Sequence, residues 1–253
     1  LPWPPRLPPF RLAGYPAARM PRESQADRKK RALRIVRKLA RAYPDADCAL
    51  HYESPFQLLM ATILSAQCTD KMVNSVTPEL FRRYPDAKAL ANARPADVEK
   101  LIRPTGFFRQ KTRSLIAASS DIVEKFGGEV PRTLEELTTL RGVARKTANV
   151  VLGNAFGVPG LTVDTHMKRV NGRLGLTRHE DPVKIERDLM ELVPEKDWTM
   201  YSHHVIHHGR ECCDARKPRC EACPIREECP WPGSAKARAA SRRPARKKKA
   251  ARR

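Results

Sequence analysis

The sequence predicts an all-α protein, and three observations carry that reading. Apolar residues recur at helical spacing along the middle of the chain, as with Leu33, Val36, Leu39 and Ala40. Pro or Gly stands at nearly every junction between such stretches. No run alternates apolar and polar residues for long enough to form a half-buried strand, so helices must pack on helices.

The first predicted helix lies in ADRKKRALRIVRKLARAY, from Ala26 to Tyr43. The second, SPFQLLMATILSAQ, opens with Ser54 as N-cap and Pro55 at the first helical position, where a missing N–H costs nothing. Further helices are expected at Asp70 to Arg83, Pro95 to Ile102, Gln110 to Phe126, Thr133 to Leu137 and Ala144 to Phe156. Thr165 to Leu174, Pro182 to Leu192 and Trp198 to Glu211 complete the series. No internal repeat appears.

A chain of 253 residues with 41% hydrophobic content supports one or two domains with a real core. No apolar run reaches membrane-spanning length, and no signal-like segment opens the chain, so a soluble, non-secreted protein is expected. The formal charge of +21 points to a polyanionic partner, most simply nucleic acid. Residues 233–253 hold ten Lys/Arg and no acid, which leaves +11 for the rest of the chain. That basic tail and the Pro-rich, basic extension 1–25 are expected to be disordered, and Met20 is a candidate biological start.

Seven cysteines, an odd number with four bunched near the carboxyl end, argue for a reducing compartment and metal chemistry over disulfides. Cys213, Cys220, Cys223 and Cys229 stand as C-x6-C-x2-C-x5-C in one short loop and can surround a single metal centre. All-thiolate zinc sites usually come as two CxxC knuckles, and here only Cys220/Cys223 makes one, so the spacing favours an iron–sulfur cluster over zinc. Cys48, Cys68 and Cys212 read as free thiols, with Cys212 a possible competitor of Cys213. The pairs His203/His204 and His207/His208 have i,i+4 spacing but no partnering carboxylates, so packing or backbone hydrogen bonding is the expectation there.

The stretch LTTLRGVARKTANVVLGNAFG places Leu140 to Ala144 as a tight turn between two helices, a helix-hairpin-helix pattern. Such a turn exposes backbone N–H groups at the positive end of the second helix, where a phosphate is favoured. The motif usually reads L-P-G-V-G; Arg141 and Ala144 depart from it, and Ala144 is expected to strain the turn because Ala resists positive φ. Lys146, in the first turn of the second helix, is a candidate nucleophile. In LTVDTH, Asp164 stands at the mouth of another helix, as a catalytic carboxylate or simply as its N-cap.

RKTANVVLGNAFG, VDTH and the four-cysteine loop, in that order, resemble endonuclease III, a family of bifunctional DNA glycosylases and abasic-site lyases. The resemblance spans roughly Asp27 to Pro230. It implies the helix-hairpin-helix glycosylase fold: a six-helix barrel domain (48–158) and an iron–sulfur cluster domain (26–47 with 159–232), with the DNA cleft between them. It places the nucleophile on Lys146, the catalytic aspartate on Asp164 and a [4Fe-4S] cluster on Cys213, Cys220, Cys223 and Cys229. Gln67 matches the residue that fills the gap left by a flipped base, and Phe107 matches an apolar wedge, where the family often has Leu. Gly142, Val143, Ala144, Arg145 and His166 are implied DNA contacts, as are Arg216, Lys217 and Arg219 of the cluster loop. Asp70 either orients the site or caps its helix. The implied partner is double-stranded DNA carrying oxidised or ring-saturated pyrimidines or abasic sites, bound by a monomer. A bacterial, nucleoid-associated cytoplasmic protein follows by default, or an organellar or nuclear one in a eukaryote.

Two other readings compete. A monofunctional mismatch glycosylase of the same superfamily normally lacks a lysine at the position of Lys146. A non-catalytic DNA-binding or redox-sensing cluster protein would have no use for both Lys146 and Asp164.

Overall fold

The computed structural model describes residues 23–231, which form eleven α-helices and several short 3-10 turns, with no strand among the described residues. The terminal tail and most of the amino-terminal extension lie outside the described residues. The helices are α1 (Gln25–Ala42), α2 (Pro55–Leu64), α3 (Asp70–Arg83), α4 (Ala87–Ala91), α5 (Pro95–Ile102) and α6 (Phe108–Phe126). They continue with α7 (Leu134–Leu137), α8 (Arg145–Ala155), α9 (Thr165–Leu174), α10 (Pro182–Leu192) and α11 (Trp198–Glu211).

Side-chain caps explain most starts. Ser24, Ser54, Thr69, Asp86, Thr133, Asp164 and Asp181 each accept a bond from a first-turn N–H. Three differences from the sequence expectation have local causes. Helix α4 was not anticipated; Asp86 caps Ala89 N–H and opens a single short stretch too brief to show a period. Helix α6 begins at Phe108, two residues early, directly after a left-handed Phe107. Helix α8 begins at Arg145, with Ala144 as its N-cap rather than its first residue.

Two hydrophobic clusters organise the chain. One runs from Leu50 to Leu152 and centres on α2, eight of whose ten residues are buried, the pattern of a helix enclosed on all sides. The other joins Ala32, Ile35, Val36 and Leu39 of α1, an i, i+3, i+4, i+7 stripe, to α9, α10, α11 and Ile225. The chain thus returns its first helix to pack with its last ones.

The two clusters meet along α8 and α11. At Gly153 of α8 an added Cβ would lie 2.6 Å from Thr199 Oγ1 of α11, so only glycine permits this approach. His203 Nε2 lies 2.7 Å from Asn154 Oδ1, and the Asn154 carbonyl accepts from Tyr52 OH at 2.9 Å. This seam ties the end of α8 to α11 and to the segment before α2.

Candidate active site

The hairpin turn between α7 and α8 is held from below. Gly142 has φ of 84°, and an added Cβ there would sit 3.0 Å from Ser114 Cβ, so the position requires glycine twice over. Val143 is buried and donates its N–H to the Leu140 carbonyl at 3.1 Å. Arg141 stands where the motif usually has proline, and it does by bonding what proline does by ring closure. Its backbone N–H and Nε reach Asp121 Oδ2 at 2.8 and 3.0 Å, and Lys125 Nζ reaches the other oxygen at 3.1 Å. Burial alone would raise the Asp121 carboxyl, but these donors outweigh it and hold the group at about 2.

Ala144 does not strain the turn. Its backbone is extended, with φ of −90° and ψ of 164°, a conformation any L-residue adopts. Like the glycine usual at this place in the motif, Ala144 offers no side-chain acceptor, so the first turn of α8 has no side-chain cap at its positive end.

Arg145, expected to touch DNA, places its guanidinium on Glu186 of α10 in a two-pronged pair at 2.7 and 2.9 Å. Glu186 is buried and also accepts from Asn149 Nδ2 at 3.1 Å. Asn149 Nδ2 in turn bonds the Leu161 carbonyl at 2.9 Å. This network ties α8 one turn beyond Lys146 to the segment three residues before Asp164. Lys146 itself is exposed, and among the described residues its ammonium has no hydrogen-bond or ion-pair partner. Asp164 is half-buried and caps α9, accepting from Met167 N–H at 2.8 Å through Oδ1. His166, also expected at DNA, sits with Nδ1 3.1 Å from Arg169 Nη2, whose other bond goes to the Gly209 carbonyl at 2.8 Å. Burial lowers the pKa of His166, and Arg169 adds to that against the pull of Asp164.

Gln67 and Phe107 share a backbone feature. They are the two non-glycine residues with positive φ among the described residues, at 51° and 48°. Such strain is held in place by its surroundings and concentrates at functional positions. Both are exposed, Phe107 to 68% despite its size. The loop beneath Phe107 is anchored by Lys111, a buried lysine whose ammonium donates to the Thr105 carbonyl at 2.8 Å. Sequence reasoning missed Lys111, since nothing but its place on the inner face of α6 marks it.

Asp70 is not a cap: Thr69 takes that role for α3. Asp70 pairs instead with Arg210 of α11 at 2.9 Å, bridging the two clusters. Both line an open groove with His51, Cys68 and Lys71. Neither Lys146 nor Asp164 lines this groove.

In the carboxyl-terminal loop, Cys213, Cys220, Cys223 and Cys229 all line one small, apolar cavity with Arg173, His208 and Ile225. Burial and the neighbouring Cys213 and Cys212 push the Cys220 thiol up, and contact with Cys212 together with burial pushes Cys223 up further. Four partly buried cysteines converging on one cavity form an all-thiolate donor set that fits an iron–sulfur cluster. Arg173 Nη1 lies 3.2 Å from Cys213 Sγ and its guanidinium covers Trp231 at 4.7 Å. The intervening loop is turned by Asp214, whose carboxylate accepts from the N–H groups of Arg216 and Lys217 at 2.8 and 3.0 Å. Arg216, Lys217 and Arg219 are exposed, and among the described residues their side chains make no hydrogen bond or ion pair.

The histidines follow the packing expectation with side chains as partners: Asn154 for His203, and Tyr43 for His208. Cys212 is buried, with its Sγ within 4.8 Å of the His208 and Cys223 ligand atoms, and directs its thiol to the Arg219 carbonyl at 3.5 Å.

Residues 60–195 match the family model of HhH-GPD superfamily base excision DNA repair proteins, and residues 213–231 match the iron–sulfur binding domain of endonuclease III. Endonuclease III of Synechocystis sp. is 57% identical over 81% of this chain and 94% of its own length. That of Bacillus subtilis is 44% identical over 76% and 88%. A trapped endonuclease III–DNA covalent intermediate superposes with a TM-score of 0.77 at 39% identity, covering 85% of this chain and 99% of the other. The chain belongs to the endonuclease III family. It is a base-excision-repair DNA glycosylase and abasic-site lyase, and it carries a [4Fe-4S] cluster.

Proposed function

We propose that Lys146 is the nucleophile of this enzyme and that its substrates are duplexes bearing oxidised or ring-saturated pyrimidines, or abasic sites, bound by a monomer associated with the nucleoid. The Lys146 ammonium first gives a proton to water or to a carboxylate; the resulting amine attacks C1′ of the damaged nucleotide, and the C1′–N bond breaks, with its electron pair leaving on the base, which takes up a proton. Loss of a proton from nitrogen and opening of the sugar ring give a Schiff base between Lys146 and C1′. Removal of a C2′ proton then expels the 3′ phosphate by β-elimination, and water releases the lysine.

Asp164 assists as a carboxylate, stabilising positive charge on the sugar or relaying protons, while its other oxygen caps α9. Gln67 fills the space of the flipped nucleotide and Phe107 wedges the duplex; their held, left-handed backbones support that division of work. The N–H groups of Gly142, Ala144 and Arg145 take a phosphate, while Val143, whose N–H is given to the Leu140 carbonyl, holds the turn from its buried side, and Arg216, Lys217 and Arg219 take others on the cluster side. His166 and the Arg145 guanidinium then act as braces for the site. The cleft lies between a six-helix domain, residues 48–158, and a cluster domain, residues 26–47 with 159–232. Bound to its four cysteines, the cluster supplies a rigid core that shapes the basic loop.

One observation carries the assignment: Lys146 is an exposed ammonium without a partner on the first turn of an uncapped helix, tied through Asn149 to the segment that delivers Asp164. A panel of duplexes carrying thymine glycol, dihydrouracil, an adenine mismatch or an abasic site tests the substrate class. Cleavage of the first two and of the abasic duplex is expected. Base release from the mismatch alone, with strand breakage only after alkali treatment, would establish the rival reading.

A further inference from the structure

His208 of α11 is 1% exposed, and its two ring nitrogens face different partners. Nδ1 lies 2.9 Å from the hydroxyl of Tyr43, the residue that ends α1. Nε2 lies 3.8 Å from Sγ of Cys223, one of the four cluster ligands. The Tyr43 ring meets the imidazole edge-on, with centroids 5.8 Å apart, so the phenol is held against it rather than swinging free.

The chemistry of the three groups fixes the direction of the protons. A buried neutral imidazole has one N–H and one lone pair. A cysteine bound to iron is a thiolate and can only accept, so the N–H belongs on Nε2 and the lone pair on Nδ1. The Tyr43 hydroxyl then donates to Nδ1, and the phenol, imidazole and thiolate form a chain with every proton pointing at the sulfur. The opposite tautomer would set the Nε2 lone pair against the thiolate lone pairs. Cys212 is a second neighbour of the same sulfur. Its Sγ lies within 4.8 Å of the His208 and Cys223 ligand atoms and contacts Cys223, and its thiol also donates to the Arg219 carbonyl at 3.5 Å, so it stands beside the chain and not between His208 and the sulfur.

We propose that Tyr43 and His208 form a two-link hydrogen-bond relay onto Cys223 that withdraws electron density from this ligand and raises the reduction potential of the cluster. The inference rests on the cluster occupying the four-cysteine loop. Hydrogen bonds to ligating sulfur are one of the means by which a protein sets the potential and the metal–sulfur bond strength of such centres. Arg173 serves Cys213 on the other side, so the two ligands are tuned separately, one by a charged donor and one by a neutral chain. Tyr43 and His208 are positioning residues here, and neither takes part in base removal.

The test uses the holoprotein with full iron content, comparing wild type with Tyr43→Phe, His208→Ala and His208→Gln. The readouts are the one-electron potential of the cluster at an electrode and the Fe–S(Cys) stretching bands in resonance Raman. Tyr43→Phe removes one hydroxyl at a surface the ring itself still fills, so the cluster stays in place. The relay predicts a lower potential and a stiffer Fe–S(Cys) stretch in Tyr43→Phe, a larger shift of both in His208→Ala, and partial recovery in His208→Gln, whose amide restores a donor. Unchanged potential and stretch in fully loaded Tyr43→Phe would overturn the relay, whatever His208→Ala does. Should His208→Ala lose iron, Tyr43→Phe alone decides.

Discussion

Arg141 donates twice to Asp121, through its backbone N–H at 2.8 Å and through Nε at 3.0 Å, and this pairing holds the turn that presents α8. Asp121 is 3% exposed, so its charge depends on these donors. Its carboxyl falls from an ordinary 3.8 to about 2 in the folded protein. A depressed carboxylate contributes stability that is fully present above the unfolded value and is lost as pH falls through the folded one. The contribution is roughly 2 kcal/mol at neutral pH. Urea unfolding should show that loss between pH 4 and about 2 in the wild type, and a smaller pH slope over the same window in Arg141→Ala. An equal slope in both would separate the turn from this pair.

Asp164 caps α9, and two variants divide that cap from the chemical role proposed for it. Asp164→Asn keeps an oxygen for the Met167 N–H, so its Tm should stay near that of the wild type while base removal slows by about 10²-fold or more. Asp164→Ala loses the cap as well and should cost about 1 kcal/mol of stability. Thermal melts beside single-turnover base release would read both effects; full activity in Asp164→Asn would reduce the residue to a cap.

Phe107 makes the sharpest split between stability and function. A side chain 68% exposed on a left-handed backbone contributes little to the folded state, so Phe107→Ala should change unfolding free energy by no more than about 0.5 kcal/mol. Loss of its stacking on the opened duplex should weaken binding to a lesion by about 10-fold or more. Fluorescence anisotropy on lesion-bearing and undamaged duplexes checks this, with the larger loss expected on the lesion.

Arg216, Lys217 and Arg219 should act on affinity through phosphates alone. Each change to Ala should lower the slope of log affinity against log salt by about 0.9 without altering preference among lesions. A slope equal to that of the wild type in all three would remove the cluster loop from the DNA surface.

Much of this architecture is written locally. Helices bounded by Pro, Ser and Asp were legible because caps act within three residues, and α10 and α11 fall where the pattern puts them. Lys146, Asp164 and the cysteines stood out because their motifs are contiguous in sequence. What was not legible is what the fold brings together. The engagement of Arg145 by Glu186 spans 41 residues, and Asp70 meets Arg210 across 140. A single sequence offers no signal for such pairs. Ala144 was misjudged for a different reason: a composition pattern suggested positive φ, whereas the turn places that burden on Gly142 alone.

The measurement that bears most directly on the account is borohydride trapping on duplexes containing one thymine glycol or one abasic site, with peptide mapping of the adduct. A covalent adduct on both substrates, mapped to Lys146 and absent from Lys146→Ala although that variant still binds DNA, is the predicted result. An adduct on another residue, or strand cleavage by Lys146→Ala at the wild-type rate, would contradict it.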